Sequence, residues 1–336
     1  MRKKILIVNN GFANKHITPL ISEFYKLNKK YFSIKIIHNY AKRDKLNLIQ
    51  RIFIKLRLPL DLENFNKRIL KSSKNFNPDI YFIIKGNNVY PSTLKSVKKN
   101  NPSSILISWT QDNMMKKHNS SYYFNESIPF YDLHCTTKSN IIEQFYKKGA
   151  KKILFLNKAF SETVHFPDFD SNYSFKVLFI GTYEKERSVS LDFLAKNGIE
   201  VTVFGNGWEK QNHNYNLKIN KFSLEGSEYR KALSSSYISL CFLRKINDDL
   251  QTSRSIEIPA CGGFMIAERT TEHKLLFKEN EEAVFFSNND ELLKKVKYFL
   301  NHKLERDRIA KHGRERVLKS NYSYSKMLGK ILDDFI

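Results

Sequence analysis

The sequence predicts an α/β protein built from two doubly wound, Rossmann-like halves, and three observations carry that prediction. Short apolar runs alternate with helix-like segments along most of the 336-residue chain. The alternation begins twice, once at the N-terminus and again after a polar, aspartate-rich stretch at residues 166–173. In the second half, glycines follow apolar runs directly, as they do where a strand turns into a helix. A chain of this length suits two domains better than one.

The first half opens with an apolar run at residues 4–9 (KILIVN), an Asn10-Gly11 turn and a helix over 17–27. Further strands are expected at 32–38, 79–84, 104–109, 133–136 and 153–156, with Asn77-Pro78 and Asn101-Pro102 setting up two of them. Helices fill the gaps at 91–99 and 139–148, the second closed by Gly149. Strands alternating with helices argue for a parallel sheet covered on both faces. Residues 45–58 are both basic and apolar, with Leu46, Ile49, Phe53 and Leu56 along one helix face and Arg51 and Lys55 nearer its edges. That stripe is expected to pack on its own domain, the alternative being a lipid surface.

After the polar stretch, which reads as a linker, the series restarts. Strands are expected at 176–180, 200–204, 238–242 and 283–286, with helices at 188–197 and 227–235 and three helical segments at the end. Two halves of similar size place a cleft between them, and ligands of open α/β sheets sit outside the carboxyl ends of the strands.

Composition narrows the function. Three cysteines without paired spacing give no disulfide framework and no zinc site. The apolar run after Met1 is too short for a signal segment or a membrane span, so a soluble, cytoplasmic chain is expected. The net charge is +23, from 57 Lys and Arg against 34 Asp and Glu. Three sources fit it: a bias of composition, attraction to an anionic membrane surface, and nucleic-acid binding. The basic residues are scattered, which favours bias. Many aromatics lie inside the apolar runs instead of interleaving with basic residues, so no nucleic-acid partner is expected.

The chemistry gathers in residues 248–277, DDLQTSRSIEIPACGGFMIAERTTEHKLLF. Asp249 and Glu257 stand eight positions apart on either side of Arg254, a spacing that on a helix turns both carboxylates the same way. Glycine turns at Gly181-Thr182, at Gly205-Asn206-Gly207 and at Gly262-Gly263 are expected to leave backbone N–H groups free for phosphate. Arg187, Arg244 and Arg254 near strand ends add planar guanidinium forks suited to a diphosphate. The P-loop and the dinucleotide-binding glycine pattern are both missing, which argues against kinase-like, ATPase and NAD-dependent readings.

Asp249, seven residues, then Glu257 and Ile-Pro-Ala-Cys-Gly-Gly resembles the acidic pair and glycine turn of the retaining group 1 (family 4) glycosyltransferases, which have the GT-B fold. More closely, residues 252–277 resemble the CgeB-like, spore-maturation-type branch, and the likeness continues through 177–187, 131–156 and 305–318. It implies a metal-independent, retaining transfer of a sugar from a nucleoside diphosphate donor to a glycan or lipid-linked acceptor, with no cofactor; peripheral contact with the inner face of an anionic membrane is left open by the net charge alone. The implied domains are 1–167 on the acceptor side, 168–320 on the donor side, and 321–336 as a C-terminal helix crossing back to the first.

The resemblance also implies roles for single residues. Glu257 would bond the ribose hydroxyls and Asp249 the transferred sugar. The backbone of Thr270, Thr271, Glu272 and His273 would face sugar and diphosphate, with Gly181 and Thr182 approaching the phosphates. Arg187 and Arg254 would neutralise the leaving diphosphate. Base contacts are expected from loops at 204–208 and 221–229. Two positions depart from the family pattern: Asp249 stands where a glutamate is usual, and Gln111 where many members carry a histidine just before Asp112, the residue expected to orient the acceptor. A non-catalytic GT-B subunit of a glycan assembly complex and a basic nucleic-acid-binding protein are the alternatives.

Overall fold

A computed structural model describes residues 2–10, 18–28, 32–39, 47–61, 63–209 and 216–333. Gly11, Ile17 and Leu46, assigned above to a turn and two helices, lie outside them. The chain divides into two compact units, Met1–Leu156 with Leu328–Ile336, and Asn157–Met327.

The first unit carries strands β1 (Lys3–Asn9), β2 (Phe32–His38), β3 (Ile80–Ile84), β4 (Ile105–Thr110), β5 (Leu133–Thr136) and β6 (Ile153–Phe155). They form one parallel sheet in the order β2-β1-β3-β4-β5-β6. Covered on both faces, its central strands are apolar throughout: Ile5 to Val8 in β1 and Ile80 to Ile84 in β3 are all buried. Its helices are α1 (Thr18–Asn28), α2 (Leu48–Lys55), α3 (Phe65–Phe76), α4 (Pro91–Asn100), α5 (Tyr122–Ser127) and α6 (Ile142–Lys147). Pro91 opens α4, where its missing N–H costs nothing. Of the stripe expected to pack on its own domain, Phe53 is half-buried but Ile49 and Leu56 are exposed, and no residue of α2 is fully buried. The half-buried side carries Gln50, Phe53 and Ile54, and the leucine-rich side faces outward.

The second unit has β7 (Val177–Ile180), β8 (Val201–Phe204), β9 (Leu217–Asn220), β10 (Ile238–Cys241), β11 (Met265–Glu268) and β12 (Val284–Phe286), all parallel. Sheet order is β12-β11-β10-β7-β8-β9. The chain enters at the centre with β7, moves outward through β8 and β9, then returns to β10 on the other side. This reversal makes a crevice at the carboxyl ends of β7 and β10. The helices are α7 (Lys185–Lys196), α8 (Gly226–Ser235), α9 (Ser253–Ala260), α10 (Thr271–Leu276), α11 (Asn289–Asn301) and α12 (Lys303–Lys319). A last helix, α13 (Tyr324–Leu332), carries the chain from the second unit into the segment grouped with the first.

The aspartate-rich stretch read as a linker is laid along α8. Asp168 pairs with Arg230 at 2.7 Å, Asp170 with Lys231 at 3.0 Å, and the Asp168 N–H donates to Ser234 Oγ. No helix among the described residues is long and apolar enough to cross a membrane.

Candidate donor site in the second unit

The loops leaving β7 and β8 lock onto each other. The Gly181 N–H donates to the Phe204 carbonyl at 2.8 Å, the Gly205 N–H to Asn220 at 3.1 Å, and the Tyr183 N–H to Asn206 at 2.9 Å. The Trp208 indole donates to the Gly181 carbonyl at 2.9 Å. A Cβ at Gly205 would stand 2.0 Å from that same carbonyl oxygen, so only glycine allows the two backbones to meet. The expectation of free N–H groups at Gly181 and Gly205 is therefore corrected. These glycines close a joint between loops, because a backbone donor already bonded to a carbonyl is not available to a phosphate.

Arg187, in the first turn of α7, ties the crevice together. Its Nη1 donates to the Thr182 carbonyl at 3.0 Å and its Nε to the Leu243 carbonyl at 3.2 Å, joining the loops that follow β7 and β10. The residue is 2% exposed, and its Nη2 has no partner among the described residues. Arg254, at the start of α9, likewise buries an unpartnered Nε. The two guanidinium centres lie 5.7 and 5.8 Å from the Phe179 ring centroid. Burial first, then the Arg254 charge, pushes Arg187 down to about 10. It remains cationic at neutral pH, held beside a like charge.

Arg244 is differently placed. It is half-exposed, and its Nε donates to Glu184 Oε1 at 3.1 Å. Glu184, just before α7, also accepts the Lys245 N–H at 3.2 Å. Sequence reasoning missed this carboxylate, which shares the charge of the β10 loop with Glu268, the acceptor of the Leu243 N–H.

Asp249 and Glu257 do not share a helix. The α9 helix begins at Ser253, and Asp248 before it has a left-handed φ of 48° that turns the chain. Asp249 is buried on this loop, accepting from Asn247 Nδ2 at 2.6 Å. Glu257 sits on α9 three residues after Arg254, on the same side. The Tyr229 hydroxyl donates to its Oε2 at 2.7 Å, and His165 Nε2 stands 3.8 Å from its Oε1. The His165 Nδ1 accepts the Ser161 N–H at 3.1 Å, so Nε2 is the protonated nitrogen of the neutral ring. Burial and the Glu257 charge hold the Tyr229 phenol well above its usual range.

The His273 side chain is a strut. Its Nδ1 donates to the Glu268 carbonyl at 2.6 Å, which leaves Nε2 to accept from the Ser255 hydroxyl at 2.8 Å. Fully buried, with a pKa lowered by that burial, the neutral ring pins the first turn of α9 to the loop after β11. Thr270 caps α10 by accepting the His273 N–H, and its hydroxyl donates to the Leu250 carbonyl at 2.6 Å. Thr271 and Glu272 follow in the first turn, exposed and buried respectively.

Gly262 and Gly263 are not part of the crevice. The Gly262 N–H donates to the Pro259 carbonyl, the Gly263 N–H to Ile258, and Gly262 has φ 75°. This is the Schellman ending of α9, and it lies before the amino end of β11, on the opposite edge of the sheet from Arg187. The expected phosphate turn there is corrected. In the first unit, Asp112 follows β4 and pairs with Lys85 at 2.7 Å; the neighbouring Gln111 carbonyl accepts from the Thr137 hydroxyl.

Residues 187–333 match the family model described as "Glycosyl transferase-like". Solved structures match the whole chain. A sucrose-phosphate synthase from Thermosynechococcus elongatus does so with TM-score 0.68 and 10% identity, over 99% of each chain. The Anabaena protein HepE, in complex with UDP and glucose, does so with TM-score 0.67 and 9% identity, over 100% of each. The fold is GT-B. The same architecture, at TM-score 0.62 and 12% identity over 100% of this chain and 97% of the other, holds a Listeria monocytogenes protein described as a candidate UDP-N-acetylglucosamine 2-epimerase. No curated protein sequence matches.

Proposed function

We propose that the chain is a retaining, metal-independent glycosyltransferase whose second unit binds a nucleoside diphosphate sugar, the acceptor being a glycan or a lipid-linked sugar. One observation carries the reading. At the strand-order reversal, two neighbouring arginines keep buried guanidinium nitrogens without partners. A buried unmet donor is costly, and two like charges side by side add to the cost. A diphosphate bridging Arg187 and Arg254 removes both penalties. Support also comes from the glycosyl transferase-like match, which starts at Arg187, and from HepE, a neighbour of the same fold that binds UDP and glucose.

On this reading Glu257 accepts from the ribose hydroxyls, held in place by Tyr229, and Asp249 meets the transferred sugar. As the bond from the anomeric carbon to the donor phosphate breaks, its electron pair goes to the diphosphate oxygen. The arginines stabilise that developing charge without moving. The acceptor hydroxyl oxygen bonds the anomeric carbon on the face just vacated, and its proton passes to the departing phosphate.

Proton NMR of UDP-glucose and UDP-N-acetylglucosamine incubated with the protein, with and without EDTA, tests the reading. Release of UDP with the α-sugar as the first-formed product, seen before mutarotation mixes the anomers and unaffected by EDTA, is the expected result. A changed sugar still attached to UDP would instead indicate an epimerase, and no turnover at all a non-catalytic subunit.

A further inference from the structure

We infer that the first unit docks on an anionic lipid bilayer through α2 and a cationic groove at the end of that helix. The inference deepens the lipid-linked acceptor reading above, although every observation behind it lies in the first unit. Leu48, Ile52 and Leu56 recur at four-residue steps with Ile49 beside them, an apolar stripe on one helix face. Helices of water-soluble domains turn such a stripe inward. Here these four side chains are 74, 46, 61 and 62% exposed, respectively, and Arg51 and Lys55 flank them.

The helix is capped at its start and tethered to the rest of the unit past its end. At its start the Gln50 N–H donates to Asn47 Oδ1 and the Asn47 N–H to Gln50 Oε1, both at 2.9 Å. Past its end Arg57 adopts a left-handed φ of 64° and donates to the carbonyl and hydroxyl of Ser120 at 3.1 and 3.0 Å. The Arg57 carbonyl accepts the N–H of Tyr122, whose ring is 53% exposed.

Arg57, Lys117, Lys147 and Lys148 line a cavity of about 470 Å³ whose described lining includes no carboxylate. Lys147 also reaches Glu143 at 2.6 Å. A preformed apolar stripe edged by cations, an exposed tyrosine and a basic groove together fit acyl chains below and phosphate headgroups above. Charge complementarity selects the bilayer over other occupants. A second copy would bring the same cations and a net charge of +23 to the face, and a nucleic acid offers nothing to the apolar stripe.

Co-sedimentation of the full-length protein with vesicles of phosphatidylcholine, alone or mixed with phosphatidylglycerol, tests this. Partition onto the anionic vesicles is expected to be at least about tenfold stronger, falling as salt rises. Ile52→Asp with Leu56→Asp abolishes it, and Lys147→Gln with Lys148→Gln weakens it several-fold at low salt. Both variants should bind UDP as the parent does, so the vesicle and nucleotide measurements fail independently. Equal partition onto neutral and anionic vesicles, no partition onto either, or partition indifferent to Ile52→Asp with Leu56→Asp overturns the inference. So does a dimer in sedimentation velocity that the same double variant converts to monomer, which assigns the face to a second copy.

Discussion

Tyr229 shows how a site residue can act through another. Its hydroxyl fixes one oxygen of Glu257 and leaves the other toward His165. Tyr229→Phe is expected to weaken UDP roughly tenfold, the loss of one hydrogen bond to a buried charge, while 2′,3′-dideoxy-UDP binding changes little. Equal losses for both nucleotides would place the effect elsewhere. A second residue-scale effect belongs to His134 on β5, whose Nε2 donates to the Ile128 carbonyl at 2.9 Å. Burial holds it at about 4, below its ordinary 6.5. The folded state then favours the neutral ring, so its contribution is complete above pH 6.5 and is lost as pH falls toward 4. That window is worth ~3 kcal/mol at most. Urea unfolding at about pH 7 and near pH 4 should show a smaller drop in stability for His134→Gln than for the parent. The residue scale was the least legible in the sequence. His165 lies far from Glu257 along the chain, and nothing in its neighbours marks it; Glu184 stands before the helix expected from residue 188, in no pattern that points to Arg244.

The elements were read more fully, and the misses have physical causes. Lys218 and Asn220 interrupt the apolar pattern of β9, a short edge strand that no continuous apolar run announces. The spacing of Asp249 and Glu257 suggested one helix because spacing does not show where a helix begins. Thr252, whose N–H donates to the Ser255 hydroxyl, marks that start, and it was the available signal. The Gly-Gly pair after α9 reads in the sequence as a phosphate turn, but glycine after an apolar helical run is as much a C-cap. Its place gives a prediction at this scale. A Cβ at Gly263 would stand 2.4 Å from the Leu233 carbonyl oxygen. Gly263→Ala should therefore lower stability by about 1–3 kcal/mol in chemical denaturation, with UDP affinity kept within about twofold. A large loss of affinity at unchanged stability would return the turn to the binding site.

At the scale of the molecule, two repeats of the strand–helix alternation were enough to anticipate two α/β halves, each with a parallel sheet, although the second sheet has six strands and β9 among them was not foreseen. Strand order was not legible, because apolar runs look alike whichever neighbour they pair with. That order puts Arg187 and Arg254 at one crevice, which we propose binds a nucleoside diphosphate. Isothermal titration of UDP, and of GDP or ADP where UDP is silent, into the parent protein and Arg254→Gln tests it most directly. Arg254 is preferred to Arg187 for the substitution because it makes no bond between the two loops. Saturable binding by the parent, weakened at least about tenfold in Arg254→Gln at an unchanged melting temperature, is the predicted result. Equal affinity in the two proteins would contradict the account.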